Sequence, residues 1–246
     1  MGIQLQMAGT GSAFSKKYYN NNALIRISDF ILMIDFGITA PLALHHMGVS
    51  LGSLDAVLVT HLHADHIGGL EELAFQMLYI HKKKVKLFIP TVMAGPLWEN
   101  SLKAGMESPD EGLYGLEDFF DVIPLEENEI YPIHDGLSVE IFPTSHVSGK
   151  PNFSLIINGH LFYSGDCRFN GELLDRLIRQ YPCDVILHDC QLEPPGIVHT
   201  SLDQLLTLPP DIQEKIYLMH YGDRMEEYIG KTGSMRFIEQ HKIYQF

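Results

Sequence analysis

Residues 57–70 read VLVTHLHADHIGGL: an apolar run rich in β-branched residues ends in Thr60, and His61, His63, Asp65 and His66 follow within six positions. On an extended segment leaving a strand, residues two apart project to the same side. His61 and His63 can therefore share one ion while Asp65 and His66 turn toward a second. Gly68 and Gly69 let the chain turn sharply into the next helix. A lone histidine is ordinarily satisfied by water or a core hydrogen bond. Four ligand-type residues in this spacing demand a different explanation.

Short apolar or alternating runs predict strands over 3–7, 24–27, 30–34, 56–60, 85–89, 139–142, 153–157, 160–164, 185–187 and 216–219. Asn158-Gly159 supplies a type I′ turn, which predicts a hairpin between two of them. Helical spacing over 40–47, 67–80, 92–103, 172–180 and 202–206 is interspersed with the strands, so the class is α/β or α+β. At 246 residues, without a linker or internal repeat, one domain is expected. The least regular stretch, 105–129, reads as a lid, a contact with a second copy, or a plain surface excursion.

The H-x-H-x-D-H pattern after an apolar strand and before Gly-Gly resembles the signature of the metallo-β-lactamase superfamily. That resemblance implies an αββα four-layer sandwich and further ligands at the ends of later strands. His146 follows VEIFPTS, Asp166 follows HLFYSGD and His220 ends KIYLMH. By the same resemblance one ion takes His61, His63 and His146, the other takes Asp65, His66 and His220, and Asp166 bridges both. Nitrogen and carboxylate donors favour zinc, and manganese or iron also suits the set. Asp35, in MIDFG, is expected to fix the ring of a ligand histidine through a hydrogen bond. His45, His46, His81, His134, His160 and His241 fall outside any ligand spacing and are given no role.

Two such ions serve lactams, thioesters and phosphodiesters alike, but an alkoxide leaving phosphorus benefits from a proton donor. Phosphodiesterases of the superfamily, RNase Z among them, carry His-Glu-Ala-Thr and His-Ser-Thr motifs, where this chain has HDC at 188–190 and HTS at 199–201. The resemblance makes Asp189 the residue that orients His199, and His199 the acid. His199 also reads as the residue before a helix capped by Thr200 or Ser201. His188 fits a structural role as well as a supporting one, and Cys167 and Cys190 read as small apolar fillers.

Asp166 lies only 20 positions after His146, which leaves no room for the arm with which RNase Z grips transfer RNA. A net charge of −14 also disfavours long nucleic acid. The lone basic run, 81–86, reads as the end of a helix. The compact relatives that the chain resembles are cyclic-nucleotide phosphodiesterases of the phage anti-Pycsar type, which destroy cyclic CMP and cyclic UMP. The opening AGTGSAF resembles theirs, with Gly9, Gly11, Ser12 and Asn22 placed near the site. Tyr18, Tyr19, Tyr114 or Phe153 is expected to stack on the base. An RNase Z-like endoribonuclease, an ester, thioester or lactam hydrolase, and a protein that sequesters a nucleotide without cutting it are the competing readings.

Cys167, Cys183 and Cys190 are odd in number and form no C-x-x-C pair, so reduced thiols are expected. The N-terminus lacks the flank of a signal peptide, and no run approaches the length of a membrane span. Both point to the cytoplasm. The resemblance also implies a homodimer.

Overall fold

The apolar runs pair into two seven-stranded sheets in the computed structural model, which describes residues 2–246. The first half supplies β1 (Gln4–Gly9), β2 (Asn22–Ile27), β3 (Phe30–Ile34), β4 (Ala56–Leu58), β5 (Val85–Pro90) and β6 (Phe120–Leu125). The second supplies β7 (Ile130–His134), β8 (Leu137–Pro143), β9 (Phe153–Ile157), β10 (Leu161–Tyr163), β11 (Val185–Asp189), β12 (Ile216–Met219), β13 (Arg236–Phe237) and β14 (Ile243–Gln245). One sheet runs β14-β1-β2-β3-β4-β5-β6 and the other β13-β12-β11-β10-β9-β8-β7, so the C-terminal strand closes the edge of the N-terminal sheet.

Strand periodicity sorts the side chains into layers. Along β12, Tyr217 and Met219 join the core between the sheets, whereas Ile216 and Leu218 face a second core with Leu174 and Leu177 of the helix Gly171–Gln180. β10 alternates likewise, with Leu161 and Tyr163 inward and Phe162 outward. On the other side β4 is buried at all three positions, as befits a strand covered on both faces. Leu44, Leu73 and Met93 of flanking helices pack into the same core. The order of layers is helix, sheet, sheet, helix.

Asn158 and Gly159 adopt φ values of 51° and 71° between β9 and β10, the left-handed pair that a type I′ turn needs. The helix expected over 67–80 is broken. Ala64–Ile67 forms one turn, Gly68 and Gly69 interrupt it, and Leu70–Phe75 runs on into a π-wound turn, Gln76–His81. Four strands were not predicted. β6 and β7 lie at sheet edges and contain Pro124 and Pro132, while β13 and β14 span two and three residues. Proline is tolerated at an edge because its missing donor faces away from the ladder. Part of the irregular 105–129 stretch is therefore β6, and 105–119 and 126–129 stand outside the sheets.

Candidate metal centre

β3, β4 and β5 run parallel in one sheet, and β10, β11 and β12 run parallel in the other. In such an arrangement the loops at the carboxyl ends of the strands share one edge, which is where ligands collect. Asp35 leaves β3, and His61, His63, Asp65 and His66 leave β4. His146 follows β8, Asp166 follows β10, Asp189 ends β11 and His220 follows β12.

Three overlapping groups of donors meet there: His61, His63, His146 and Asp166 in the first, Asp65, His66, His220 and Asp166 in the second, and Asp166, Asp189, His199 and His220 in a third. In the first, His63 Nδ1 lies 3.1 Å from His61 Nε2 and 3.2 Å from His146 Nε2. Asp166 Oδ2 is 3.7 and 3.8 Å from His61 and His146. In the second, Asp65 Oδ2 is 3.3 Å from both His66 Nε2 and His220 Nε2, and Asp166 Oδ2 is 3.4 Å from each. Zinc–nitrogen bonds of about 2.0–2.1 Å set the edge of a coordination tetrahedron at about 3.3–3.4 Å, so these two groups are spaced to hold a divalent cation. His66 Nε2 and Asp166 Oδ1 are buried without a hydrogen-bond partner. Orphaned polar atoms at the heart of a packed site are accounted for if their partner is an ion.

The surroundings fix the rings. Asp35, fully buried, accepts from His66 Nδ1 at 2.7 Å and from the Thr60 N–H at 2.8 Å and hydroxyl. His146 Nδ1 donates to the Val198 carbonyl at 2.7 Å. Each bond leaves the opposite nitrogen free for a ligand role. Burial pushes His61 well below the ordinary imidazole range, reinforced by the neighbouring His66, and burial lowers His63 and His146 as well. Neutral imidazole is the state that binds metal. At His66 burial disfavours charge, but Asp166, Asp35 and Asp65 together outweigh it and draw a positive charge to that point. A cation in place of the proton answers the same field.

His199 stands at the open side of the centre, its ring 4.8 Å from that of His220 and 4.7 Å from that of His146. Its Nδ1 donates to Asp189 Oδ2 at 2.9 Å. Burial alone would lower the pKa of His199, but the bond to Asp189 and the charges of Asp189, Asp166 and Asp65 raise it. Thr200 does not cap the following helix: its hydroxyl donates to the Cys167 carbonyl. Ser201 is the N-cap residue, and its hydroxyl bonds the Gln204 side chain.

A family model described as "Anti-Pycsar protein Apyc1" matches residues 3–244. The chain belongs to the anti-Pycsar protein Apyc1 family. The anti-Pycsar protein Apyc1 of Paenibacillus xerothermodurans is 52% identical over 246 residues, 100% of this chain and 98% of that one. The one from Bacillus phage vB_BsuM-Goe3 is 43% identical over 251 residues, covering 96% of each. Among solved structures, the metallo-β-lactamase fold protein YhfI from Bacillus subtilis superposes with a TM-score of 0.75 at 14% identity, covering 100% of both chains. Human tRNase Z, short form, superposes with a TM-score of 0.68 at 17% identity, covering 98% of both. The architecture of this Apyc1-family chain is thus the metallo-β-lactamase fold.

Several residues at the site carry no sequence signal of their own. Asn152 Nδ2 donates to the Asp166 carbonyl at 2.7 Å and to Thr144 Oγ1 at 2.8 Å. The Cys167 N–H donates to Asp189 Oδ2 at 3.2 Å, which ties the loop of Asp166 to the partner of His199. His188 is buried behind Asp189 and bonds its carbonyl through Nδ1 at 2.9 Å. Of the opening residues, Asn22 bridges the Asp65 carbonyl and the Gly37 N–H, and the Ser12 N–H meets the carbonyl of Tyr221, next to His220. Three of the four candidate stacking aromatics are engaged elsewhere. Phe153 lies in the core, Tyr18 packs edge-on against Tyr221, and the Tyr19 hydroxyl bonds His46. Tyr114 is 59% exposed.

Proposed function

We propose that this protein is a metal-dependent phosphodiesterase that opens 3′,5′-cyclic nucleotides, cyclic CMP and cyclic UMP included, to linear nucleoside monophosphates. The observation that carries the reading is the His199–Asp189 pair, 2.9 Å apart at the open side of two donor groups that share Asp166. Thioester hydrolysis, whose thiolate leaves without protonation, has no need of such a proton donor. Membership of the anti-Pycsar family supports the same substrate class.

His61, His63, His146 and Asp166 would hold one divalent ion, and Asp65, His66, His220 and Asp166 the other, with zinc the metal that the donor set favours. Ions so held supply Lewis acidity, which makes water a nucleophile at neutral pH and offsets charge on the phosphoryl oxygens. The chain's own contribution is the proton. Asp189 accepts a hydrogen bond from the Nδ1–H of His199 and stabilises the imidazolium, so Nε2–H is left to protonate the departing ribose oxygen. Asp35 keeps His66 in the tautomer that presents Nε2 to the site.

The interval between His146 and Asp166 holds only the β9–β10 hairpin, and with a charge of −14 this supports a small substrate over transfer RNA. The same reading places the enzyme in the cytoplasm, where cyclic-nucleotide signals act. No helix among the described residues is long and apolar enough to cross a membrane. It also pairs the chain with a second copy through 105–119, where Tyr114 is exposed. A monomer in gel filtration, together with a fully active Tyr114→Ala variant, overturns the pairing.

Hydrolysis of a panel of 3′,5′-cyclic nucleotides by metal-loaded protein tests the activity. Linear monophosphates that disappear on chelation are the expected result. Cleavage of a thioester or lactam, with every cyclic nucleotide intact, rejects it.

A further inference from the structure

His220 sits at φ 57°, in the left-handed region, where a side chain with a Cβ is disfavoured. Such a backbone persists only where its surroundings over-determine it. The ladder between β11 and β12 reaches Met219 and stops there. Beyond it the opening loop, residues 10–21, takes over. The His220 N–H donates to Asn21 Oδ1 at 3.3 Å, the Tyr221 N–H donates to the Thr10 carbonyl at 3.0 Å, and the Ser12 N–H donates to the Tyr221 carbonyl at 3.0 Å. Asn21 is fully buried, and its Nδ2 donates to the Tyr163 hydroxyl at 3.0 Å, which fixes Oδ1 toward His220.

The loop is fastened in turn by Asp223. One oxygen of this carboxylate, Oδ1, accepts from the Ser15 hydroxyl and from the N–H groups of Lys16 and Lys17, at 2.9 and 2.8 Å. The Ser15 hydroxyl above all, helped by the two N–H groups, holds Asp223 below the usual carboxylate range, so it is charged at neutral pH. Hydrogen bonds to an ionised acceptor are about twice as strong as neutral ones.

We propose that Asp223 is a positioning residue for the metal centre: by fastening the opening loop, it holds the backbone of His220 in the conformation that aims Nε2 at the cation of the Asp65 group. The proposal rests on the metal reading of that group, and it adds a carboxylate with no bond to any of the donors. His220 Nε2 stands 3.3 Å from Asp65 Oδ2 and 3.4 Å from Asp166 Oδ2. Rotation about the N–Cα bond of residue 220 carries Cβ and the ring away from both. Among the described residues, His61, His63 and His146 make no hydrogen bond to the opening loop, so the effect belongs to one ion of the two.

Asp223→Ala releases the loop, Ser15→Ala removes one of its bonds to Asp223, and Asp223→Asn keeps an oxygen that can accept them all. Ions retained during graded chelation are counted by mass spectrometry, with melting followed by circular dichroism. For Asp223→Ala the expected result is one ion held about tenfold more weakly and the other held as in the wild type. Ser15→Ala is expected to weaken the same ion a few-fold, and Asp223→Asn to restore most of the loss. Lys17→Ala, which breaks the exposed pair with Glu226 in the same loop, should leave both ions as they were. Wild-type retention of both ions in Asp223→Ala and Ser15→Ala overturns the proposal. Equal weakening of both ions also overturns it, because that marks a general loosening of the fold.

Amide hydrogen exchange supplies a reading that needs no metal. The N–H groups of Ser12 and Tyr221 are expected to exchange about tenfold faster in Asp223→Ala than in the wild type. If the wild type holds fewer than two ions, the metal reading of the Asp65 group fails and exchange decides the role of Asp223 alone. Faster exchange at both amides then retains that role, and unchanged exchange rejects it.

Discussion

Asp35 shows how one carboxylate can govern a metal centre that it does not touch. It is fully buried, sits at φ 61°, and spends its oxygens on the His66 ring and on the Thr60 backbone and hydroxyl. Asp35→Asn preserves the volume but replaces an acceptor with an amide that competes for the wrong tautomer. Metal affinity is expected to fall about 10–100-fold, read as earlier metal release in a chelator titration, with the circular dichroism spectrum retained. An unchanged titration would remove Asp35 from the account. His199→Ala should cost about 10²–10⁴ in kcat for cyclic nucleotides, whose leaving group is a poor one. Hydrolysis of bis(p-nitrophenyl) phosphate, which releases a stable phenolate, should fall far less. Equal losses on both substrates would show that His199 is not the acid.

The seven donors and the His199–Asp189 pair were legible because chemistry confined their residue types and strand ends confined their places. Asn152 was not, since an asparagine after a proline reads as a turn. Its two bonds exist only once β9 is docked beside the loop of Asp166. Phe153 misled for the converse reason. An aromatic near a ligand looks available for stacking, but strand alternation carries it into the core.

At the scale of elements, the loop from β3 and the turn Ala64–Ile67 are pressed together so closely that only glycine fits between them. A Cβ built on Gly37 would stand 1.8 Å from the Asp65 carbonyl oxygen, and the Gly37 N–H is held by Asn22 Oδ1 at 2.6 Å. Gly37→Ala must therefore push away the backbone that carries Asp65 and His66. Lost packing there is expected to destabilise the fold by about 1–3 kcal/mol and to cost the ion of the Asp65 group before the other. Calorimetric melting and metal counting would check both effects, and a variant with two ions and an unshifted Tm would contradict the prediction. The long central elements are legible in the periodicity, whereas the break in the helix around 67–80 is not. The apolar spacing continues across Gly68 and Gly69, and nothing in that spacing marks the start at Ala64 that sets the direction of Asp65 and His66. The edge strands β6 and β7 escaped notice because proline argues against a central strand, and their position at the edge is a property of the assembled sheets.

For the molecule as a whole, the buried thiols link folding to pH. Cys167, Cys183 and Cys190 are all free and buried, two of them in the core beneath the outer helices. Burial pushes Cys183 up to about 11 and raises Cys167 and Cys190 as well. An unfolded thiol titrates near 8.5. Below that pH both states hold the proton and the contribution is fully present. As pH rises from about 8.5 toward 11 the unfolded chain releases protons that the native chain keeps, so stability must fall. Cys183 alone is expected to remove about 2 kcal/mol between pH 8 and pH 10. Lysines and tyrosines also titrate near the top of this window, so the useful quantity is a difference. Urea unfolding of the wild type and of Cys183→Ala, compared at pH 8 and pH 10, isolates the one thiol. The variant starts less stable, because it leaves a cavity in the core beneath the outer helices, but it should lose less on going to the higher pH. Parallel losses in the two proteins would mean that the Cys183 thiol ionises in the native state as readily as in the unfolded chain.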